Sequence, residues 1–319
     1  MDVDTGVDDA LALAFAVRHP DISLEAVLTV CGNVSLDRVT HNTLRVLDWL
    51  GATDVPVVRG ADRPLGGAPL SADHWHGEDG LGGADLPASR RDASHDAVAY
   101  LIERLTAEPG ELMLVCTGPL TNLATAVTRE PAIVRCPRGV CVMGGTIHPP
   151  GNVTPVAEFN VYADPEAAAI VFAQSWPLTL VGLDVTRQTL LTREDLSQLS
   201  ETESAEAVLL RETTSSLVDR RGVQAVALHD PLAVAVALDP SLVRTVSGPV
   251  RVETRGELTR GQTIIDLRRP QHSSTQVCIE VAADRFRRHF FDTLGLTSLS
   301  SSPRYSRRRR RRTGPGRGP

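Results

Sequence analysis

The chain reads as an α/β protein with a mostly parallel central sheet flanked by helices, a Rossmann-like core in a single domain. Three observations predict this. Short aliphatic, β-branched runs alternate with helical apolar patterns along most of the 319 residues. Gly, Asn and Pro punctuate the ends of those runs. The densest polar clusters follow a predicted strand or open a predicted helix, which is where parallel sheets bind ligands. A 42% hydrophobic content supports a sizeable core, and with only 4% aromatics that core must be mostly Ala, Val and Leu.

Residues 8–18 form an Ala/Leu-rich run opened by acids, which favour a helix N-terminus. Residues 22–30 are rich in β-formers and end at Cys31-Gly32-Asn33, a strand and then a turn. Residues 36–50 carry apolar positions at helical spacing and stop at Gly51. Residues 55–58 read as a short buried strand. The stretch 59–93, rich in Gly, Asp and His, reads as a long surface loop, a type that is often functional. A helix at 95–106, strands at 112–115 and 139–143, and a long turn to Ala163 follow. Next come a helix at 164–174, a strand at 178–183, and helices near 193–199, 204–220 and 229–238. Strands at 250–252, 263–267 and 276–281 precede a closing helix at 284–294. Only Met1 precedes the acidic cluster that begins at Asp2, so a central first strand reads as truncated, its apolar part missing. After Gly295 the composition turns to Ser, Arg, Gly and Pro, and 296–319 is expected to be a disordered tail behind a folded unit of 1–295.

All 33 basic residues are arginine. Eight of them lie between Arg304 and Arg317, which leaves 25 against 39 acids in the body, a net charge near −14 beneath the overall −6. An acidic body argues against nucleic-acid binding as the main task, although the basic tail offers a tether. Five cysteines without C-x-x-C or zinc spacing read as reduced, buried thiols. No signal peptide or membrane-length apolar run is present, so the expected location is the cytoplasm.

Asp2, Asp4, Asp8 and Asp9 fall within eight positions, split by Gly6. Acids so dense repel one another unless a cation or proton relieves them. A strand-end D-x-D, a glycine turn and D-D at a helix start would aim several carboxylates at one spot, as a hard divalent cation requires. An EF-hand fails, because its sixth position would be Val7 and its twelfth Leu13. A phosphatase-type D-x-D loop usually follows a strongly apolar strand, with a threonine where this chain has Gly6. A solvated acidic helix start would need only two acids.

Three further clusters carry chemistry. His229-Asp230-Pro231 stands at a helix start, where Asp230 alone is a helix cap and His229 alone a structural histidine. Glu158 and Asn160 flank Phe159 and point the same way if extended. Asp164-Pro165 is a plain helix start. His74-Trp75-His76 with Gly77 and Gly80 is either a gate loop or a pair of zinc ligands.

Together these motifs resemble the nucleoside hydrolases of the inosine–uridine-preferring type. D-x-D-x-G-x-D-D-A at Asp2 to Ala10 matches the family's signature. The similarity continues through Val30 to Asn33, Thr117 to Asn122, Met143-Gly144-Gly145, Glu158-Phe159-Asn160, Asp164 to Ala167 and His229-Asp230-Pro231. It covers roughly 1–295.

The resemblance implies calcium-dependent hydrolysis of the N-glycosidic bond of ribonucleosides, releasing ribose and a free base. Asp4, Asp9, Asp230 and the Thr117 carbonyl would hold Ca2+, with Asp4 also the general base on water. Asp8, Asn33, Asn152, Glu158 and Asn160 would bind ribose hydroxyls, with Met143 against the sugar. His229 would face the base and protonate it as it leaves, and His76 would lie in the mobile loop above. The family is usually dimeric or tetrameric. A non-catalytic ribonucleoside-binding homologue is the alternative, since a missing strand would loosen the site. A magnesium-dependent phosphotransferase built on Asp2 or Asp4 is a third reading, and the absence of lysine weighs against it.

Overall fold

The computed structural model describes residues 1–220, 222–268 and 274–300. Thirteen strands occur among them: β1 Asp2–Val3, β2 Val27–Thr29, β3 Val57–Arg59, β4 Ser94–His95, β5 Met113–Cys116, β6 Gly139–Met143, β7 Leu178–Val181, β8 Leu190–Thr192, β9 Ala225–Ala227, β10 Val243–Ser247, β11 Val250–Val252, β12 Thr263–Ile265 and β13 Thr275–Val281. Nine form one sheet in the order β10-β13-β7-β6-β5-β1-β2-β3-β4. Every pair in it is parallel except β10 with β13. The predicted fold class is therefore the observed one. β8 with β9, and β11 with β12, make separate antiparallel ribbons.

From β1 the chain winds outward through β2, β3 and β4, then returns to the other side of β1 with β5. The reversal places the topological switch point between β1 and β5, where a crevice opens beyond the strand ends. The first helix, Val7–Arg18, leaves this point and is buried almost all round, as expected of a helix apolar on every face. It packs with helices His229–Leu238 and Ala283–Thr293 into the larger apolar cluster. Helices Ala97–Ala107, Thr121–Arg129 and Pro165–Phe172 pack into the cluster on the other face.

Several expectations change. The first strand is as short as expected, only two residues, yet it holds the central place and pairs with both β2 and β5. The Met1 ammonium donates to the Ala26 carbonyl at 2.8 Å, and the Met1 carbonyl accepts from Leu28 N–H at the same distance. The strand at 22–30 shrinks to Val27–Thr29, because pairing sets its length and β-propensity does not. The loop at 59–93 is not merely a surface loop. It holds a short helix, Asp73–His76, and buries Leu81, Ala84 and Leu86. β8, β9 and β10 fall where no strand was predicted, since their pairing partners are remote in sequence. The boundary at 295 moves as well: Leu296 and Leu299 are buried, and Thr297–Ser300 is a helical turn. The arginine-rich remainder of the tail lies outside the described residues.

Candidate active site

The switch point is crowded with acids. Asp4 directly follows β1, and Asp8 and Asp9 lie in the first turn of the first helix. Thr117 follows β5, and Asp230 stands in the first turn of its helix, two residues inside the cap position, which Leu228 holds. Asp8, Asp9 and Asp230 each bring a carboxylate oxygen within 4.8 Å of the others. Asp4 is outside that trio but fully buried, and its Oδ1 has no hydrogen-bond partner. Its other oxygen accepts from Asn33 N–H at 2.8 Å. Asp9 accepts from Thr117 Oγ1 at 2.7 Å and from Gly6 N–H at 2.9 Å.

Burial raises the pKa of Asp4, Asp8, Asp9, Glu158 and Asp230, and for Asp4, Asp8 and Asp230 the neighbouring acids raise it further. Asp8 is pushed up to about 7. Burial and the charges of Asp8, Asp9 and Asp4 hold the Asp230 carboxyl well above the usual carboxylate range. A site that must hold protons to stay neutral, with one carboxylate oxygen left over and only oxygen donors, fits a hard divalent cation.

Gly6 and Gly32 make the close packing possible. A Cβ on Gly6 would lie 2.5 Å from His76 Nδ1, and one on Gly32 only 2.1 Å from Asp4 Oδ2. Gly6 has an ordinary negative φ of −104°. It is needed for space, and not for the turn the sequence reading gave it.

The other predicted site residues gather here too, mostly with partners of their own. Asn33 Nδ2 donates to the Asp4 carbonyl and to Asp9 Oδ2, both at 3.3 Å. His76 Nδ1 accepts from Val7 N–H at 3.0 Å, which fastens the short helix of the 59–93 segment over the first helix. Glu158 caps helix Phe159–Ala163, accepting from Asn160 and Val161 N–H, and also receives Gly145 N–H at 2.9 Å. Asn160 Nδ2 donates to the Thr117 carbonyl at 2.6 Å and to that of buried Met143 at 3.2 Å. Asn152 Oδ1 accepts from Phe159 N–H at 2.9 Å and lies nearer solvent. His229 Nδ1 is 2.7 Å from Thr186 Oγ1. Burial, helped by Arg187, lowers the His229 pKa to about 4, so the imidazole is neutral at pH 7.

Three supports escaped the sequence reading. Asn122 donates to Asp2 Oδ1 at 2.8 Å and to the Thr29 carbonyl, so it ties β1 to β2. Asp164 does cap its helix through Ala167 N–H, as read. It also receives Thr121 Oγ1 and Leu65 N–H, which anchors the 59–93 segment. Arg187 and Trp75 line a cavity beside Asp8 and His229. Nothing local marks Arg187, because its importance comes from chain segments brought near it by folding.

Fold and site define the class: a doubly wound α/β protein with buried carboxylates converging at its switch point. Residues 1–288 match the family model described as inosine-uridine preferring nucleoside hydrolase, and the chain belongs to that family. It is 43% identical over 296 residues to the inosine-uridine preferring nucleoside hydrolase of Crithidia fasciculata, covering 90% of this chain and 93% of that one. It is 37% identical to uridine nucleosidase 1 of Arabidopsis thaliana, over 83% of this chain and 81% of that one. Its fold matches the purine-preferring ribonucleoside hydrolase from Gardnerella vaginalis with a TM-score of 0.86 and 34% identity, covering 94% of this chain and 98% of that one.

Proposed function

We propose that this nucleoside hydrolase cleaves the N-glycosidic bond of ribonucleosides with calcium as its metal and Asp4 as the general base. The observation that carries this reading is the unpartnered, fully buried Asp4 Oδ1 beside the convergent Asp8, Asp9 and Asp230 carboxylates. Asp4, Asp9, Asp230 and the Thr117 carbonyl would hold the ion, which when bound supplies a hard Lewis acid for the ribose diol and the attacking water. The convergence of Asp8 with Asp9 and Asp230 puts it close to that shell, where it serves a ribose hydroxyl. Asn160 donates to the Thr117 carbonyl, whose second lone pair stays open to the ion, and its side-chain oxygen would serve the sugar.

Asp4 takes the proton from water as oxygen bonds to C1′. The C1′–N bond breaks with its electron pair going to the base. The ribosyl cation that develops is flanked by Asp8 and Glu158, whose negative charge stabilises it. His229, expected to protonate the departing base, is neutral at pH 7 and donates it a hydrogen bond instead, through the ring nitrogen turned away from Thr186; the base leaves as an anion and takes a proton from solvent water as Asp4 gives up its own. Asn33, Asn152 and Met143 complete the sugar pocket, and His76 closes over the base. The non-catalytic alternative rests on a truncated first strand; the two residues that form β1 still pair on both sides, which favours the catalytic reading.

Ribose release from inosine or uridine tests the proposal. Release should disappear with chelator, return with calcium, and be lost in Asp4→Asn. No release from any nucleoside by the calcium-loaded protein would overturn it. We further place the protein in the cytoplasm as a homo-oligomer, with no role in nucleic-acid binding for the folded body. No helix among the described residues is long and apolar enough to cross a membrane.

A further inference from the structure

Helix Leu183–Thr186 is a single turn that follows β7 and ends against His229. Its start is fastened to the segment after β6. Leu183 N–H donates to the Gly145 carbonyl at 3.0 Å, and Asp184 accepts from Ile147 N–H at 2.8 Å and His148 N–H at 3.0 Å. Arg187, next in the chain, donates to the Pro150 carbonyl at 2.7 Å and to that of Gly151 at 2.9 Å. The end of the turn is fastened to the backbone that leads into His229. Thr189 Oγ1 donates to the Thr186 carbonyl at 2.9 Å, and the Thr189 carbonyl accepts from Leu228 N–H at 2.8 Å. Bonds outside the two side chains therefore set the spacing of Thr186 and His229.

The Thr186 hydroxyl is fully buried, and among the described residues it has one hydrogen-bond partner, His229 Nδ1 at 2.7 Å. A hydroxyl carries one proton to donate, and a buried donor left unpaired loses its hydration with nothing in return. Nδ1 is the acceptor within reach. It accepts only when it carries no proton itself, so the ring is neutral and its proton sits on Nε2. Nε2 is then the ring nitrogen left for a ligand in the 210 Å³ cavity that His229 lines with Asp8. The reverse tautomer would bury an unmatched hydroxyl proton and leave Nε2 a bare lone pair.

We propose that Thr186 is a positioning residue for the reaction: by donating to Nδ1 it holds His229 in the Nε2–H tautomer, the form that can donate to the departing base. This rests on the reading of the site as a nucleoside pocket. As the C1′–N bond breaks, its electron pair moves onto the base. A hydrogen bond from Nε2–H to a ring nitrogen or carbonyl oxygen of the base strengthens as that charge grows. The other tautomer would set a lone pair against the same charge and repel it. Flipping the ring would break the Thr186 contact, so one bond holds both tautomer and orientation.

Nitrogen-15 NMR of the histidine rings reads the tautomer directly, with the His229 signal identified by its loss in His229→Gln. The wild type should show a bare Nδ1 and a protonated Nε2, and Thr186→Val should show a mixture of tautomers. Ribose release from inosine supplies the second readout. Thr186→Val should lower kcat by about 10- to 100-fold with KM little changed. Thr186→Ser keeps the hydroxyl and should restore most of the loss. Release from 4-nitrophenyl riboside, whose nitrophenolate departs as a stable anion without a donor, should fall far less in Thr186→Val. A proton on Nδ1 in the wild type would overturn the proposal. So would an equal loss on the two substrates, no loss at all, or a Thr186→Ser variant as impaired as Thr186→Val. Should Thr186→Val fail to fold by circular dichroism, the wild-type tautomer and the activity of Thr186→Ser decide. Should the wild type release no ribose from any nucleoside, the proposed activity falls while the tautomer measurement still decides this inference.

Discussion

At the carboxyl ends of β1 and β5 the interior is packed with acids, and a Cβ on Gly6 or Gly32 would already collide with them or with their neighbours. At the opposite ends of the same strands it holds a 480 Å³ cavity between the sheet and its helices, lined by Met1, Leu101, Leu105, Leu114 and Ala237 among others. The first end is full, polar and electrostatically strained. The second is aliphatic at its floor and open to solvent, with Glu25, Arg104 and Glu108 among its outer walls. Free energy has therefore gone in opposite directions at the two ends. The acid cluster keeps repulsion that only a proton or a cation relieves, and the apolar end supplies burial that offsets it, though less than a filled core would. Changes at one end should alter chemistry and at the other only stability.

The largest expected effect tests the polar end. Asp4→Asn should lower kcat by about 10²- to 10⁴-fold. It should also raise the melting temperature of the metal-free protein, because it removes a buried charge that has one unpartnered oxygen. A variant both inactive and less stable than the metal-free parent would break the contrast.

Removing the metal comes next. Asp2 and Asp8 are both pushed up to about 7 by burial, so in the folded, metal-free protein they hold protons that the unfolded chain releases near pH 4. The native state then binds more protons between pH 4 and 7, and stability falls as pH rises through that window. Melting curves of chelated protein should show this decline from pH 5 to 7.5, and added calcium should flatten it. A chelated protein that becomes more stable across that range would refute the assignment.

At the apolar end, Leu105→Ala enlarges the cavity and should cost about 2–5 kcal/mol of stability. The kcat/KM of the folded fraction should not change. The smallest effect is a gain: Ala237→Leu projects into the same space and should add about 0.5–2 kcal/mol, seen as a higher urea midpoint. If either change moved kcat/KM by tenfold, the two ends would not be separable.

What was legible in the sequence follows the same divide. The acids of the D-x-D-x-G-x-D-D run are close in sequence, and they are close in space because a strand end and a helix start meet at Gly6. The fold class was legible from alternation, since strands buried on both faces read as aliphatic runs. The roles of Asn122, Thr121 and Arg187 were not: the Thr117-to-Asn122 motif marks the first two, but the partners of all three, Asp2 and Thr29, Asp164, and the Pro150 and Gly151 carbonyls, are remote in sequence. β10 was missed because its residues are half exposed at the sheet edge and its pairing partner is β13. Gly6 was picked out for the wrong reason: a turn was visible in the sequence, but crowding by His76 was not.

The two-residue β1 also bears on the order of assembly. Asp2 pairs with Leu28 on one side and with Cys116 on the other. So short a strand buries too little apolar surface to hold either neighbour by itself, and the loops it must close are long. It can settle only after β2 and β5 have come within reach of each other. Asp4, the base proposed above, is next in the chain. Activity therefore reports on completion of the sheet: a refolding chain that has gained its helices and outer strands stays silent until the slot between β2 and β5 is filled.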